Sequence, residues 1–188
     1  MSERRFKDIL YAWRVRAGLL GIILVAILVD PNGSSLIAGF AVCLPGLLLR
    51  AWAAGHLRKN EELTVSGPYR GTRNPLYLGN LVIGLGIVVA SRSIWVLSIV
   101  TVYFLLFYPL IIRMEVDKMR NLFPREYPDY SQKTSLFFPF RWSSSPSQKR
   151  KFSWELYLKN TEWRALLGTI IFWLIMIGKL GVRLLKLQ

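Results

Sequence analysis

The chain is poor in the residues from which most reactive centres are assembled. Among its 188 residues there is one cysteine and one histidine. A single thiol, Cys43, can form no disulfide within the chain and offers no Cys-rich metal site. Lying inside an apolar run, it reads as a small core residue. With His56 as the sole imidazole, a His-based metal site or a Ser–His–Asp triad has little to build on. Acidic residues are scarce too: 11 Asp+Glu stand against 25 Lys+Arg, a net charge of +14. Such a surplus suits either nucleic acid or an anionic membrane surface. The basic residues flank apolar blocks and form no continuous stripe, which points to membrane lipids and away from a nucleic-acid partner.

What the chain has in plenty is apolar sequence, 53% of all residues. A helical span needs about 20 residues to cross about 30 Å of hydrocarbon. Five candidate runs stand out, at about Tyr11 to Val29, Leu36 to His56, Leu76 to Ala90, Ile94 to Ile112, and from near Ala165 to Ile177. The third is short and carries glycine. "DPNGSS" (30–35) and "SRS" (91–93) read as turns. The expected fold is therefore all-α, a polytopic membrane helix bundle of about five transmembrane helices. The first run follows a basic N-terminus (Arg4, Arg5, Lys7, Arg14, Arg16) but has no small-x-small cleavage pattern before Asp30-Pro31, so it is expected to stay as a span. Length alone suggests one membrane domain, divisible into a helical pair (1–57), a core (58–140) and a terminal part (141–188).

Lys and Arg number five in the N-terminal segment, five from Arg50 to Arg73, and eleven over 113–164, while the two short turns hold only Arg92. The N-terminus and both long polar segments are thus expected on the cytoplasmic face. Lys179, Arg183 and Lys186, on one face of the last helix, would then lie on the far side. Snorkelling side chains or a tilted, interfacial helix would each accommodate them. In "SSSPSQKRK" (143–151), Lys149-Arg150-Lys151 either touch anionic lipid heads or belong to a solvated loop. The stretch 152–168 lines a lipid entrance or is an interfacial helix anchored by Trp154, Tyr157 and Trp163.

Between the second and third runs stands "SGPYRGTRNPLYLG" (66–79), too rich in special residues for a plain connector. Pro68 and Pro75 each fix a backbone angle, and Gly67 and Gly71 permit tight turning. A helix should start at Pro75, with Asn74 at or near the N-cap and its side chain on free backbone N–H groups. That N-terminus, with Arg73 beside it, suits an anion such as a carboxylate. After the fourth run comes a second cluster, "RMEVDKMRNLFPREYPDYSQKTSLFFPF" (113–140), with Glu115, Asp117 and Glu126 near the same face. A carboxylate at a membrane boundary is costly unless paired. Glu115 either pairs with Arg113, Lys118 or Arg73, or holds a cationic or hydroxyl-bearing ligand.

"GPYRGTRNPLYLG", followed about forty residues later by "E…FPREYPDY…P", resembles the isoprenylcysteine carboxyl methyltransferase family, within a wider group that includes phospholipid methyltransferases. The likeness covers roughly 61–139. Its usual strings are close to L-V-T-x-G-P-Y-x-x-x-R-H-P-x-Y-x-G and E-E-x-x-L-x-x-x-F-G-x-x-Y-x-x-Y. The resemblance implies an integral membrane enzyme using S-adenosylmethionine, held in a cytosolic pocket formed by the C-terminal half. Leu63, Gly67 and Tyr69 fall on the cofactor-cradling loop. Arg73, Asn74 and Tyr77 fall on the R-H-P-x-Y string, Glu115 on the first acid, and Tyr127 and Tyr130 on the closing tyrosines. Arg73 and Glu115 would be the catalytic pair. Departures are Asn74 for histidine, Glu61 where histidine is frequent (His56 lies five residues earlier), Thr64-Val65 for V-T, Val116 for the second acid, and Pro124 for glycine.

That cofactor presents a sulfonium, an ammonium, a carboxylate, a ribose diol and an adenine. Glu115 could accept from its ammonium or hydroxyls, Arg73 could hold its carboxylate, and Tyr69, Tyr77 and Tyr127 offer π faces. The methyl acceptor is expected to be lipid-like: an isoprenylcysteine-type carboxylate first, a phospholipid amine second, with Glu115 or Asp117 as base for the amine. Two further alternatives are a relative of NADPH-dependent sterol-type reductases and a non-catalytic membrane partner.

Overall fold

The computed structural model describes residues 3–141 and 150–186, with no side-chain placement for 3–11, 14 and 15. Seven α-helices account for most of the described chain: α1 (Glu3–Leu28), α2 (Gly33–Ala54), α3 (Pro75–Ser91), α4 (Ile94–Leu122), α5 (Tyr127–Lys133), α6 (Trp154–Lys159) and α7 (Trp163–Leu185). The fold is an all-helical bundle of membrane type. Among the described residues α2, α4 and α7 are long and apolar enough to cross a membrane by length and composition. Shorter apolar stretches are Arg16–Leu28 within α1 and the whole of α3. Of the five runs expected, three therefore reach full spanning length. Large apolar side chains stand outward on the long helices, Leu105 at 69% exposure and Leu174 at 61%. That is how a helix is dressed when its solvent is lipid.

Glycine sets the central packing. In α2 and α3, antiparallel neighbours, Gly39 faces Gly86 and Gly46 faces Gly79. A Cβ on Gly39 would lie 2.5 Å from the Gly86 carbonyl oxygen, and one on Gly46 2.8 Å from that of Gly79. Backbones can approach this closely only where side chains are missing, the usual device for helix association in lipid. Cys43, fully buried, fills the space between these glycine pairs, as a small core residue should.

The bundle has two different ends. One gathers the short turns. Asn32 caps α2 by accepting from the Ser35 N–H at 2.7 Å, the Ser35 hydroxyl donates to the Ala90 carbonyl at 2.9 Å, and the Asp30 N–H donates to the Ser91 carbonyl at 3.0 Å. Arg92 turns the chain in the left-handed region at φ 53°. Lys179 donates to the carbonyls of Ala26 (3.1 Å) and Ile27 (2.7 Å), and Arg183 pairs with Asp30. So α7, 23 residues long and hence about 34 Å, runs to the α1–α2 turn. Its two cations Lys179 and Arg183 thus meet the α1–α2 turn at the far end of the bundle.

The other end carries all the long connections. Helix α4, 29 residues or about 44 Å, outruns a membrane's hydrocarbon, and its last turns stand clear of the apolar stretch. Helix α3, 17 residues or about 25 Å, falls short. The chain therefore enters α3 through a recess beside the protruding α4. Below it Leu63, Tyr127 and Tyr130 form a small buried cluster with Val65, Val116, Met119 and Phe123 against them.

Candidate functional site

The floor of the recess is built by the 66–75 turn. Gly67 takes φ +57°, and a Cβ there would strike the His56 ring at 2.6 Å. Only glycine satisfies both demands. Pro68 follows, and Gly67–Arg70 closes as a 3₁₀ turn with the Tyr69 N–H on the Ser66 carbonyl at 3.2 Å. Tyr69 is thereby buried, and its carbonyl accepts the Tyr130 hydroxyl at 2.8 Å. Burial pushes the hydroxyls of both tyrosines well above the ordinary phenol value, so they are neutral donors.

Beyond the turn, Thr72 bridges Ser135 and the Arg73 N–H donates to the Ser135 carbonyl at 2.9 Å. Asn74 holds the N-cap position and Pro75 the first helical position, as expected, but the Asn74 side chain makes no capping bond. It donates instead to the Leu136 carbonyl at 2.9 Å. The backbone at Asn74 (φ −130°, ψ 52°) lies outside the usual cap conformation, and the 134–136 segment alongside presents the Leu136 carbonyl as acceptor. Asn74 thus ties the α5 segment to the head of α3.

Above this floor is a cavity of about 430 Å³. Eight of the ten singled-out residues line it: Leu63, Tyr69, Arg73 and Asn74 from the loop, with Tyr77, Glu115, Tyr127 and Tyr130 from the helices. Their sources are up to 67 positions apart in the chain. The Tyr77 hydroxyl reaches the Glu115 carboxylate at 3.5 Å, a long contact. The Arg73 guanidinium donates to the Tyr127 hydroxyl at 3.0 Å and lies 5.9 Å from the centre of that ring. Its Nε is buried without a partner. Among the described residues Glu115 enters no ion pair, so of the two alternatives for it the pairing with Arg113, Lys118 or Arg73 is not formed. Asp117 points to a neighbouring groove and Glu126 is exposed.

His56 and Gly67 are not on the lining. His56 is buried behind the loop, its Nδ1 3.0 Å from the Ser66 hydroxyl and its ring edge-on to Trp52. Burial holds its pKa below the usual imidazole value. Glu61, at the position where histidine is frequent, is an exposed partner of Lys159 at 2.7 Å, and that bond holds its carboxyl below the ordinary range.

A second group on the lining comes from outside the motifs. Arg50, near the end of α2, donates through Nε to Glu162 at 2.5 Å, and through a terminal nitrogen to the Leu76 carbonyl (3.2 Å) and Asn80 (2.5 Å). Burial drives the Glu162 carboxyl up, and Arg50 opposes that shift. Asn160 donates to the carbonyls of Ala54 (3.0 Å) and Leu57 (2.8 Å), stitching the segment before α7 over the end of α2. Phe152 packs on Gly55, and Arg150 pairs with Glu62. The pocket is thus not the work of the C-terminal half alone, because Arg50 comes from α2. A signal existed: an arginine within "LLLRAWAAG" is a charge in an apolar run, and such a charge demands a buried partner. Lys149 and most of the 143–151 linker lie outside the described residues.

Chemically, this cavity offers a carboxylate without a counter-ion, a guanidinium with a spare buried donor, and several aromatic faces. Among the described residues no group of three His, Cys, Asp or Glu side chains is placed to hold a metal ion.

Comparison with known proteins adds an independent line. Residues 35–126 match the family model described as phospholipid methyltransferase. Over 92 residues, 48% of this chain, the sequence is 39% identical to the cobalt-zinc-cadmium resistance protein CzcN of Cupriavidus metallidurans, covering 42% of that protein. It is likewise 39% identical to the nickel-cobalt-cadmium resistance protein NccN of Alcaligenes xylosoxydans xylosoxydans, covering 43%. The match therefore spans less than half the length of these relatives. No solved structure matches the chain.

Proposed function

From the match of residues 35–126 to the phospholipid methyltransferase model, we propose that the chain is a membrane methyltransferase that draws on S-adenosylmethionine and methylates a lipid-like acceptor. The observation that carries this reading is the convergence of Tyr69, Arg73, Tyr77 and Glu115 on one cavity from three separate elements. A volume of about 430 Å³ lies within the range of small-molecule sites.

The donor groups suit the cofactor. Arg73 keeps a buried Nε without a partner, a donor for a carboxylate beside the N-terminus of α3. Glu115, touched only by Tyr77 among its described hydrogen-bond partners, can accept from an ammonium or ribose hydroxyls. Tyr69 and Tyr127 present faces to a cation or a purine. When bound, S-adenosylmethionine supplies an activated methyl group that passes in line to the acceptor nucleophile. The chain's own contribution is alignment. Tyr130 fixes the Tyr69 backbone, Asn74 fixes the loop to α5, and the Arg50–Glu162 pair closes the wall.

A carboxylate acceptor needs a cation near its head, and an amine needs a group to take its proton. Glu115 faces the cavity and, among the described residues, enters no ion pair that would occupy it. That, with the family's description, favours a phospholipid amine over an isoprenylcysteine-type carboxylate. The Lys/Arg distribution supports a cytosolic mouth, from which a water-soluble cofactor enters while a lipid arrives from the side.

The test is transfer itself. Membranes containing the full chain are incubated with methyl-labelled S-adenosylmethionine, and the lipids are extracted and identified. Label in a phospholipid head group, absent with Glu115→Gln, is the expected result. A labelled prenylated acid would move the acceptor to the carboxylate class. Cofactor binding with no labelled product in any lipid extract would favour a non-catalytic partner.

A further inference from the structure

Next to the cavity, across Arg73, lies an open groove of about 390 Å³ that no motif accounts for. One wall is a single face of the last turns of α4. Ile112, Val116 and Arg120 recur there every four residues, with Arg113 and Asp117 one step on. Arg73 and Leu136 stand opposite. The groove is therefore two-toned. Ile112, Val116 and Leu136 make an apolar base, while three guanidiniums face one carboxylate, Asp117. Among the described residues neither the Arg113 nor the Arg120 side chain is tied into a hydrogen bond or ion pair.

The level of the groove says what fits. The apolar run of α4 ends at Ile112, and Arg113 is the first charge after it. With α4 taken as a span, the groove would sit where hydrocarbon gives way to phosphate. A purely electrostatic surface would have no use for an apolar base, and a lipid-tail cleft would have no use for three arginines. Arginine is also the side chain whose fork matches phosphate oxygens.

We propose that Arg113 and Arg120, over Ile112, Val116 and Leu136, bind the phosphate of a glycerophospholipid and present its head group to the adjoining cavity. Phosphate binding stands on the groove alone; that the bound lipid is the methyl acceptor rests on the function proposed above. Arg73 and Val116 belong to both spaces, so a lipid held here has its head group beside Glu115.

The test uses the full chain in detergent, with bound lipid counted by native mass spectrometry. The probes are dioleoyl phosphatidylethanolamine and dioleoylglycerol, which share tails and differ in the phosphate head. Wild type should retain the phospholipid and not the diglyceride. Arg113→Gln/Arg120→Gln should bind it roughly thirtyfold more weakly, each guanidinium counting as one basic residue at a lipid surface. Arg164→Gln removes a charge at the same end of the bundle and should change nothing. Both substituted arginines are exposed, so folding is spared. Equal loss with Arg164→Gln, retention of the diglyceride, or displacement of the lipid by inorganic phosphate alone would overturn the proposal. Calorimetry with S-adenosylmethionine on the same preparations separates the two readings. Lipid binding without cofactor binding sinks the methyltransferase reading and leaves the groove, and the reverse sinks the groove.

Discussion

Glu162 is the residue whose removal should be felt most widely, because it holds a buried arginine. Its side chain is 8% exposed, that of Arg50 is 15% exposed, and they meet at 2.5 Å. Glu162→Ala leaves a largely buried guanidinium on the cavity wall with its carboxylate gone. Breaking a buried ion pair on one side costs about 3–5 kcal/mol. Arg50 keeps its bonds to the Leu76 carbonyl and to Asn80, which places the cost near the lower end, about 3 kcal/mol. Glu162→Gln keeps an oxygen for Arg50 and loses only the charge-assisted part, about 1–2 kcal/mol. Removing both charges with Arg50→Leu/Glu162→Leu should recover most of the loss, to within about 1 kcal/mol of wild type. Denaturant unfolding in mixed micelles, followed by tryptophan fluorescence, measures wild type, these three variants and the single variants Arg50→Leu and Glu162→Leu. The reasoning fails if Glu162→Ala costs no more than an exposed ion pair, or if the double variant is as unstable as the sum of the two singles.

Two other outcomes follow from the packing and the loop. Gly39→Ala puts a methyl 2.5 Å from the Gly86 carbonyl oxygen and 2.6 Å from the Ala90 Cβ, and should cost about 1–3 kcal/mol or more. Gly168→Ala meets nothing within 4 Å and should be neutral or gain about 0.5–1 kcal/mol; equal effects in the same unfolding assay would contradict the close α2–α3 approach. His56 is held neutral by burial, its folded pKa below the ordinary 6.5. The unfolded chain then takes up the proton first, so the stability His56 contributes is whole above pH 6.5 and is lost as pH falls through the folded value. Melting between about pH 7.5 and about pH 5 should show that decline in wild type and a flatter profile in His56→Gln.

Much of the bundle was legible because lipid imposes it. Unbroken apolar runs had to become helices, and the punctuation at Asp30-Pro31, Arg92 and Pro75 fell where those helices end. The recess was legible through its special residues, since Gly67, Pro68 and Pro75 can serve few other purposes. What could not be read was contact between segments distant in sequence. Asn74 was expected to cap its own helix, and only the path of 134–136 explains why it reaches Leu136 instead. Nor could the partners of Lys179 and Arg183 at the α1–α2 turn be read from the last run. Arg50 and Glu162 lie 112 positions apart, and nothing local to either names the other. His56 drew attention as the sole histidine, yet its burial against Gly67 serves the turn.

Everything proposed for the cavity depends on its holding S-adenosylmethionine, and titration calorimetry on the folded full chain asks that directly. The account predicts one-to-one binding, with Glu115→Gln weakening it roughly tenfold to a hundredfold through loss of hydrogen bonds to a charged group, and Tyr69→Ala weakening it as well. A folded preparation that gives no heat with the cofactor, or variants that bind it as tightly as wild type, would contradict the account.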